Sequence, residues 1–196
     1  KPMIALTFDD GPGKDTGRLL DALEKYNARA TFFMLGNNAK RYPKEIQRMK
    51  ELNCELGNHS TSHPQLTKLS EEGIKKEIQT TSGYIHDAAG ADPTVMRPPY
   101  GAVNALVKQT VGLPMIFWSV DTLDWKTKNV ESTVNSILNA KDGDIILLHD
   151  IHKASVDAAI EAIPKMIEKG FQIVTVSEMA EAKGKTLELG VKYFSF

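Results

Sequence analysis

Cysteine and long apolar runs are both scarce in this sequence. The one cysteine, Cys54, excludes an internal disulfide and any zinc cluster built from cysteines, and its neighbours Leu52 and Leu56 favour a small buried side chain. No apolar run of roughly eighteen residues, the minimum for a spanning helix, occurs in the chain. The sequence therefore predicts no membrane-spanning helix.

An excess of charge of one sign is also absent. Lysine and arginine number 24 and aspartate and glutamate number 25, which gives a net charge of -1. Binding to nucleic acid or to an anionic membrane would use a basic field that this sequence lacks. We therefore expect no nucleic acid partner and no membrane contact, and a neutral substrate suits this balance.

The length and the start of the chain set expectations for its organisation. At 196 residues, without internal repeats or low-complexity tracts, we expect a single domain over residues 1–196. The chain opens at Lys1 without a methionine or a signal-like stretch. We interpret it as a trimmed domain, with an export signal, an anchor or further domains expected outside this chain.

Short apolar segments alternate with longer segments of helical period, which is typical of an α/β fold with parallel strands. The predicted strands are Ile4–Phe8, Ala30–Met34, Cys54–Gly57, Thr94–Arg97, Met115–Trp118, Ile145–Leu148 and Gln172–Val174. The predicted helices are Thr16–Tyr26, Pro43–Leu52, Ser70–Ala89, Val103–Val111, Val130–Ala140, Ala154–Glu168 and Ser177–Lys183. Parallel strands joined by helices form either an open sheet or a closed barrel, and periodicity alone does not decide between the two. The pattern assigns no structure to the tail that ends at Phe196.

Reactive side chains follow most of these strands. The first strand ends in Asp9 and Asp10, and Gly11 and Pro12 then turn the chain. Neighbouring residues at a strand end point in different directions, so one carboxylate can bind a cation while the other handles a proton. A plain Asp-Gly turn is the competing interpretation of these residues.

Two histidines follow the third strand. His59 and His63 are four residues apart, a spacing that can chelate one cation, although such a pair by itself is more often a surface or capping feature. With a carboxylate from Asp10 they form a two-histidine, one-aspartate set. Nitrogen and oxygen ligands of this mix suit zinc or another divalent transition ion better than calcium.

Three further motifs follow the later strands. Arg97 begins a stiff Arg-Pro-Pro-Tyr loop, where it can hold a carboxylate bidentately and lower its pKa, or make a structural salt bridge. Asp121 and Asp124 follow the fifth strand, and His149 ends the sixth. A histidine there is usually a core residue, but near a carboxylate and a metal it is a candidate general acid. We interpret the two remaining histidines as solvated surface residues: His86 and His152.

Five motifs occur in one fixed order. They are Thr-Phe-Asp-Asp-Gly-Pro at 7–12, His-Ser-Thr-Ser-His at 59–63, Arg-Pro-Pro-Tyr at 97–100, Asp-Thr-Leu-Asp-Trp at 121–125 and Ile-Leu-Leu-His at 146–149. Together they resemble the motifs of the polysaccharide deacetylase family, also called the NodB homology domain or carbohydrate esterase family 4, over roughly residues 3–180. The resemblance implies a distorted seven-stranded (β/α) barrel with parallel strands that removes acetyl groups from sugars by metal-dependent hydrolysis. Ile146 stands where the last motif usually has leucine, a conservative change.

The resemblance also implies a base and a metal centre. Asp9 would be the catalytic base, and Arg97 would orient and acidify it. Asp10, His59 and His63 would hold one divalent metal ion. Zinc is the first expectation, with cobalt, manganese or nickel as alternatives.

The remaining implied roles concern the substrate. His149 would be the catalytic acid and Asp124 its partner. The backbone N–H of Tyr100 would meet the oxyanion, and Trp125 and Leu147 would wall a pocket for the acetyl methyl group.

The family leaves the substrate open. Gly101 and the Trp118–Asp121 approach to the fourth motif resemble bacterial peptidoglycan N-acetylglucosamine deacetylases. We therefore expect a monomer that acts on N-acetylglucosamine units of peptidoglycan, outside the bacterial cell or in its envelope. Chitin oligosaccharides and acetylxylan are the alternative substrates. A non-catalytic sugar-binding module is disfavoured because every reactive position is intact, and a metal phosphoesterase because no Gly-rich phosphate loop is present.

Overall fold

The structure, a computed structural model, describes residues 1–196. The strands are β1 (Met3–Asp9), β2 (Thr31–Met34), β3 (Glu55–Asn58), β4 (Val95–Met96), β5 (Met115–Ile116), β6 (Val120–Asp121), β7 (Ile145–His149), β8 (Gln172–Ile173) and β9 (Lys192–Tyr193). The helices are α1 (Thr16–Lys25), α2 (Gly36–Ala39), α3 (Pro43–Glu51), α4 (Glu71–Ala89), α5 (Ala105–Thr110), α6 (Asp124–Thr127), α7 (Val130–Leu138), α8 (Lys153–Glu168) and α9 (Val176–Ala182).

One parallel sheet carries the fold. Its strand order is β6-β7-β1-β2-β3-β4-β5-β9, and β8 pairs with the start of β1. In this register Asp9 on β1 lies level with Phe33 on β2 and with His149 on β7. Because parallel strands end at the same edge, the residues that terminate them come together at one face of the sheet.

The helices cover the sheet with the apolar faces that the sequence predicts. Leu19, Leu20 and Leu23 of α1 are fully buried, as are Ile46 and Met49 of α3. Central strands of a parallel sheet are covered on both sides, which explains why β1 reads as a continuous apolar run and not as an alternating one. The packed helices therefore hold β1 at the centre of the molecule.

The C-terminal tail closes the gap between β5 and β7. Its strand β9 pairs with β5, and Ser195 then forms an antiparallel bridge with Asp144, just before β7. The Phe196 N–H donates to the Gly143 carbonyl at 3.0 Å. Gly143 has a φ of 93°, and a side chain there would collide with the Phe196 carbonyl oxygen. The tail thus curls the sheet into a distorted barrel.

All seven predicted strands and all seven predicted helices are present, with ends shifted by a few residues, and the parallel barrel is confirmed. The sheet has nine strands and not seven, because the two-residue strands β6 and β9 are too short to give a periodic signal. Cys54 is a free, buried thiol, as predicted. None of the helices combines the length and the apolar character that crossing a bilayer requires.

Candidate active site

A cavity of about 410 Å³ opens at the carboxyl ends of the strands. All the predicted site residues line it except Arg97 and Asp124, which lie behind Asp9 and His149. The cavity wall also includes Trp118. The fold therefore brings residues from five separate motifs to one place.

Asp10, His59 and His63 form a group with the chemistry of a metal site. The Oδ1 atom of Asp10 lies 3.4 Å from Nε2 of His59 and 3.7 Å from Nε2 of His63. One ligand atom from each residue lies within 4.8 Å of the other two. Asp10 Oδ1 is buried and accepts no hydrogen bond. A bound cation would give this oxygen the partner that it lacks. The three residues therefore fit a divalent ion held by imidazole and carboxylate.

The orientation of His59 supports this assignment. Its Nδ1 lies 2.6 Å from the carbonyl oxygen of Arg97, so Nδ1 carries the proton and donates. The lone pair of Nε2 is then free and faces Asp10. A backbone carbonyl behind a histidine fixes the tautomer that metal binding needs.

The backbone around the metal-site group adopts unusual conformations. Asp10 has a φ of 74° and His63 a φ of 65°, in the left-handed region that non-glycine residues seldom occupy. The side-chain amide of Asn38 donates to the Asp10 carbonyl at 2.6 Å, and the His63 N–H donates to Ser60 Oγ at 3.1 Å. The two histidines thus lie on a tight loop and not on a helix. Sequence reasoning missed Asn38, because an asparagine in a short polar helix carries no signal of its own.

Arg97 holds Asp9 in place from the buried side of the site, away from the cavity. Its side chain is fully buried, and Nη1 donates to Asp9 Oδ1 and to Thr7 Oγ1, both at 2.8 Å. Its Nε donates to the Ile116 carbonyl at 2.9 Å, and its Nη2 donates to the Phe117 carbonyl at 2.7 Å. The ion pair therefore uses one oxygen of Asp9 and is not the bidentate pair that a guanidinium can form, because backbone carbonyls occupy the rest of the fork.

His149 and Asp124 form a second, separate pair. His149 Nδ1 lies 2.9 Å from Asp124 Oδ1, and the His149 backbone N–H donates to Asp124 Oδ2 at 2.7 Å. Ser155 Oγ donates to the same oxygen at 2.6 Å. Burial alone would lower the pKa of His149, but the hydrogen bond that it donates to Asp124 and the nearby carboxylates outweigh it and raise this pKa to about 9. Burial would raise the pKa of Asp124, but its bonds to His149 and Ser155 lower it. The imidazole is therefore held charged at neutral pH.

A sharp turn places Asp124 behind His149 and Trp125 at the cavity wall. Asp121 Oδ1 accepts the Leu123 N–H at 2.9 Å, and Leu123 has a φ of 55°. This turn starts α6 at Asp124. Trp125 is 49% exposed whereas Leu147 is buried, so the cavity has an apolar wall with one open edge.

Tyr100 lines the cavity and has an unusual backbone conformation. Its φ is 63°, and its N–H makes no hydrogen bond within the protein. Its ring is exposed and packs edge-on against His63, with centroids 4.7 Å apart. An unpaired N–H beside the metal-site group is a donor available to a ligand.

Asp150 is a buried acid that sequence reasoning missed, since one aspartate after a histidine carries no periodic signal. Its Oδ2 accepts from Thr16 Oγ1 at 2.7 Å, and its Oδ1 has no partner. Burial raises its pKa to about 7. The carboxyl group fills the space where a side chain at Gly11 would lie. Asp150 therefore supports the turn that follows Asp9.

The two histidines outside the motifs differ. His86 is exposed and pairs with Asp92 at 2.9 Å, as a surface histidine should. His152 was predicted to be solvated, but it is half-buried, and its ring centroid lies 6.2 Å from that of His149. The prediction for His152 was wrong because a tight turn joins β7 to α8 here, and the His152 N–H donates to the His149 carbonyl at 3.2 Å.

A parallel barrel that carries this group of possible metal ligands beside a histidine–carboxylate pair fits the class of metal-dependent hydrolases. The polysaccharide deacetylase family profile matches residues 1–113, and the chain belongs to that family. Hydrolases of this family use a divalent metal ion.

Two relatives and one solved structure show the similarity. The chain is 45% identical to the peptidoglycan-N-acetylmuramic acid deacetylase PdaC of Bacillus subtilis, over 92% of this chain and 39% of that protein. It is 43% identical to the peptidoglycan-N-acetylglucosamine deacetylase PgdA of Listeria monocytogenes, over 97% of this chain and 41% of that protein. A family 4 acetyl xylan esterase from Clostridium thermocellum, solved with a cobalt ion, superposes with a TM-score of 0.91 at 33% identity and covers 98% of both chains. The chain thus spans about two fifths of the length of these two relatives.

Proposed function

We propose that this chain removes N-acetyl groups from N-acetylglucosamine units of peptidoglycan by metal-dependent hydrolysis. The observation that carries the proposal is that Asp10, His59 and His63 line the same cavity as the charged His149. Asp9 lines it too, 3.6 Å from His59 and level with His149 in the sheet. A base, a cation site and an acid within one cavity are the parts that amide hydrolysis needs.

Asp10, His59 and His63 are the residues that would hold the metal ion. Zinc is our first choice, with cobalt, manganese and nickel as alternatives, because imidazole and carboxylate ligands suit all four. A divalent ion held there would lower the pKa of a water from about 15.7 toward 7 and would polarise the acetyl carbonyl. Asp9 takes the proton of the attacking water, and its bond to Arg97 keeps the carboxylate in place.

The substrate acetyl group fits the apolar side of the cavity. Trp125 and Leu147 receive its methyl group. The free N–H of Tyr100 donates to the oxygen that becomes negative as the carbonyl is attacked. A donor that is already aimed at this oxygen typically contributes roughly 3 kcal/mol to lowering the barrier.

His149 completes the reaction as the acid. It is charged because of Asp124, and it gives its proton to the nitrogen as the C–N bond breaks, so that the sugar leaves as a neutral amine. An acetate ester has a better leaving group and depends less on this proton. The built histidine–aspartate pair therefore favours amide substrates over acetylxylan.

The charged residues of the cavity wall favour one sugar unit of peptidoglycan over the other. Its charged wall residues are aspartates and histidines, and neither lysine nor arginine lines it. An N-acetylglucosamine unit is neutral, whereas a muramic acid unit without its peptide brings a carboxylate that no lysine or arginine of the wall can pair. This charge pattern favours the N-acetylglucosamine substrate of PgdA over the N-acetylmuramic acid substrate of PdaC.

The place of action follows from the substrate. Peptidoglycan lies outside the bacterial plasma membrane, so we propose that the protein acts in the cell envelope or outside the cell. We also propose a single catalytic domain over residues 1–196 that acts as a monomer, because one chain supplies all the site residues.

Acetate release from purified peptidoglycan, chitin oligosaccharides and acetylated xylan tests the proposal. We expect the highest kcat/KM on peptidoglycan and the lowest on xylan. Release from xylan alone would make the protein an esterase like the C. thermocellum enzyme. Binding without release from any of the three would make it a sugar-binding module.

A further inference from the structure

Phe194 lies at the same rim of the barrel as the site, although it belongs to the C-terminal tail. Strand β9 runs parallel to β5, with Tyr193 level with Ile116, and the Phe117 N–H donates to the Tyr193 carbonyl at 2.7 Å. Phe117 and Phe194 are therefore the first residues beyond two neighbouring parallel strands. They emerge at the carboxyl edge, where the catalytic motifs also lie.

Three aromatic rings lead outward from the cavity. Trp118 lines the cavity, and its ring stacks on Phe117 with centroids 6.1 Å apart. The Phe117 ring stacks in turn on Phe194, with centroids 4.8 Å apart and planes 28° from parallel. A side-chain carbon at Gly101, which also lines the cavity, would lie 3.4 Å from the Phe117 ring. The aromatic row Trp118, Phe117 and Phe194 thus continues the cavity wall to the outer surface.

The end of the row is open. Phe117 is only 6% exposed, but Phe194 is 50% exposed. The Phe194 ring stacks on Phe117, and half of the Phe194 surface remains open to solvent. An exposed aromatic face that is continuous with a binding cavity is a surface for a ligand.

We propose that Phe194 binds a second sugar unit of the polysaccharide, outside the cavity that takes the acetylated unit. This inference rests on the proposed function. A pyranose ring has an apolar face of C–H groups that can lie flat on a phenyl ring and exclude water from both. The contact needs no charge, which agrees with a neutral glycan. A polymer bound at both places would gain affinity over a short oligomer through the added contact.

The test measures how kcat/KM depends on chain length. N-acetylglucosamine oligomers from the dimer to the hexamer are assayed with the wild type, Phe194→Leu and Phe194→Trp, with metal added. Leucine still covers Phe117 but has no flat face, whereas tryptophan keeps one. Leu189→Ala is the control, since Leu189 is 69% exposed on the same tail but stacks on no ring of the row.

We expect the gain in kcat/KM from dimer to hexamer to fall roughly threefold to tenfold in Phe194→Leu, the size of one aromatic contact. The loss should appear as a higher KM for long oligomers, and Phe194→Trp and Leu189→Ala should keep the wild-type gain. Wild-type length dependence in Phe194→Leu would overturn the inference, as would equal losses in the leucine and tryptophan variants with lowered melting temperatures. A wild type that released no acetate from any oligomer would instead count against the proposed function.

Discussion

Arg97 contacts His59 through its main chain and Asp9 through its side chain. Its carbonyl oxygen lies 2.6 Å from His59 Nδ1, and its guanidinium donates to Asp9 Oδ1 at 2.8 Å. One residue therefore orients both the proposed base and a proposed metal ligand. Because the two contacts use different parts of Arg97, the two functions can be separated by substitution.

Asp9→Asn should separate base catalysis from metal binding. The asparagine oxygen can still accept from Arg97, and the metal ligands are unchanged, so zinc affinity measured by titration should stay within a few-fold of the wild type. The amide cannot take a proton, so kcat for acetate release should fall by about 10²–10⁴-fold. Activity close to the wild type would show that Asp9 is not the base.

His59→Ala should abolish metal binding. It removes a ligand atom that lies 3.4 Å from Asp10 Oδ1, and too few protein ligands would remain for a stable catalytic site. Isothermal titration with zinc measures the loss directly. His86→Ala is the matched control, because His86 is exposed and pairs only with Asp92. Zinc affinity unchanged in His59→Ala would place the metal elsewhere.

The pKa of His149 predicts an alkaline limit to activity. The folded-state pKa is about 9, raised above the ordinary value near 6.5. The acid is therefore charged at neutral pH and loses its proton as pH rises through about 9, so kcat should fall there. The charged pair with Asp124 also stabilises the fold; this contribution is present in full below about pH 6.5 and is lost as pH rises from there through about 9.

Asp124→Asn tests the cause of that limit. Removing the negative charge takes away the main interaction that raises the pKa of His149, so the alkaline limb of the kcat profile should move to lower pH. The variant should retain its zinc affinity, since Asp124 is not among the metal-site residues. An alkaline limb that stays in place would mean that another group sets it.

Gly143→Ala should destabilise the closure of the barrel. The new side chain would collide with the Phe196 carbonyl oxygen, and its φ of 93° is strained for alanine. Gly170 has a φ of 94° with no atom near the same position, so Gly170→Ala reports the strain alone. We expect both variants to lose about 1–3 kcal/mol from backbone strain, with an additional loss in Gly143→Ala. Equal melting temperatures for the two would mean that the tail does not hold the barrel closed.

The sequence predicted the parts of this protein that depend on local pattern. The strand that ends in Asp9 and Asp10 and the helix with Leu19, Leu20 and Leu23 follow from apolar period alone. Grouping His59, His63 and Asp10 followed from the rule that parallel strands end at one edge. The barrel and the individual roles came from the family resemblance, because no local pattern distinguishes a closed sheet from an open one.

The features that were missed depend on tertiary contacts. Asn38 and Asp150 support the turn after Asp9 from elements distant in sequence, and neither belongs to a recognisable spacing. The tail was left unassigned because β9 is only two residues long and is defined by its partner β5. The half-buried position of His152 likewise depends on how a loop folds, which single-residue chemistry does not encode.

Acetate release from an N-acetylglucosamine oligomer, before and after removal of metal, tests the central claim most directly. The account predicts release by the native protein, loss of activity after treatment with a chelator, and recovery when zinc or cobalt is restored to the wild type but not to His59→Ala. Release that survived complete chelation, or that returned in His59→Ala, would contradict a metal-dependent deacetylase built on Asp10, His59 and His63.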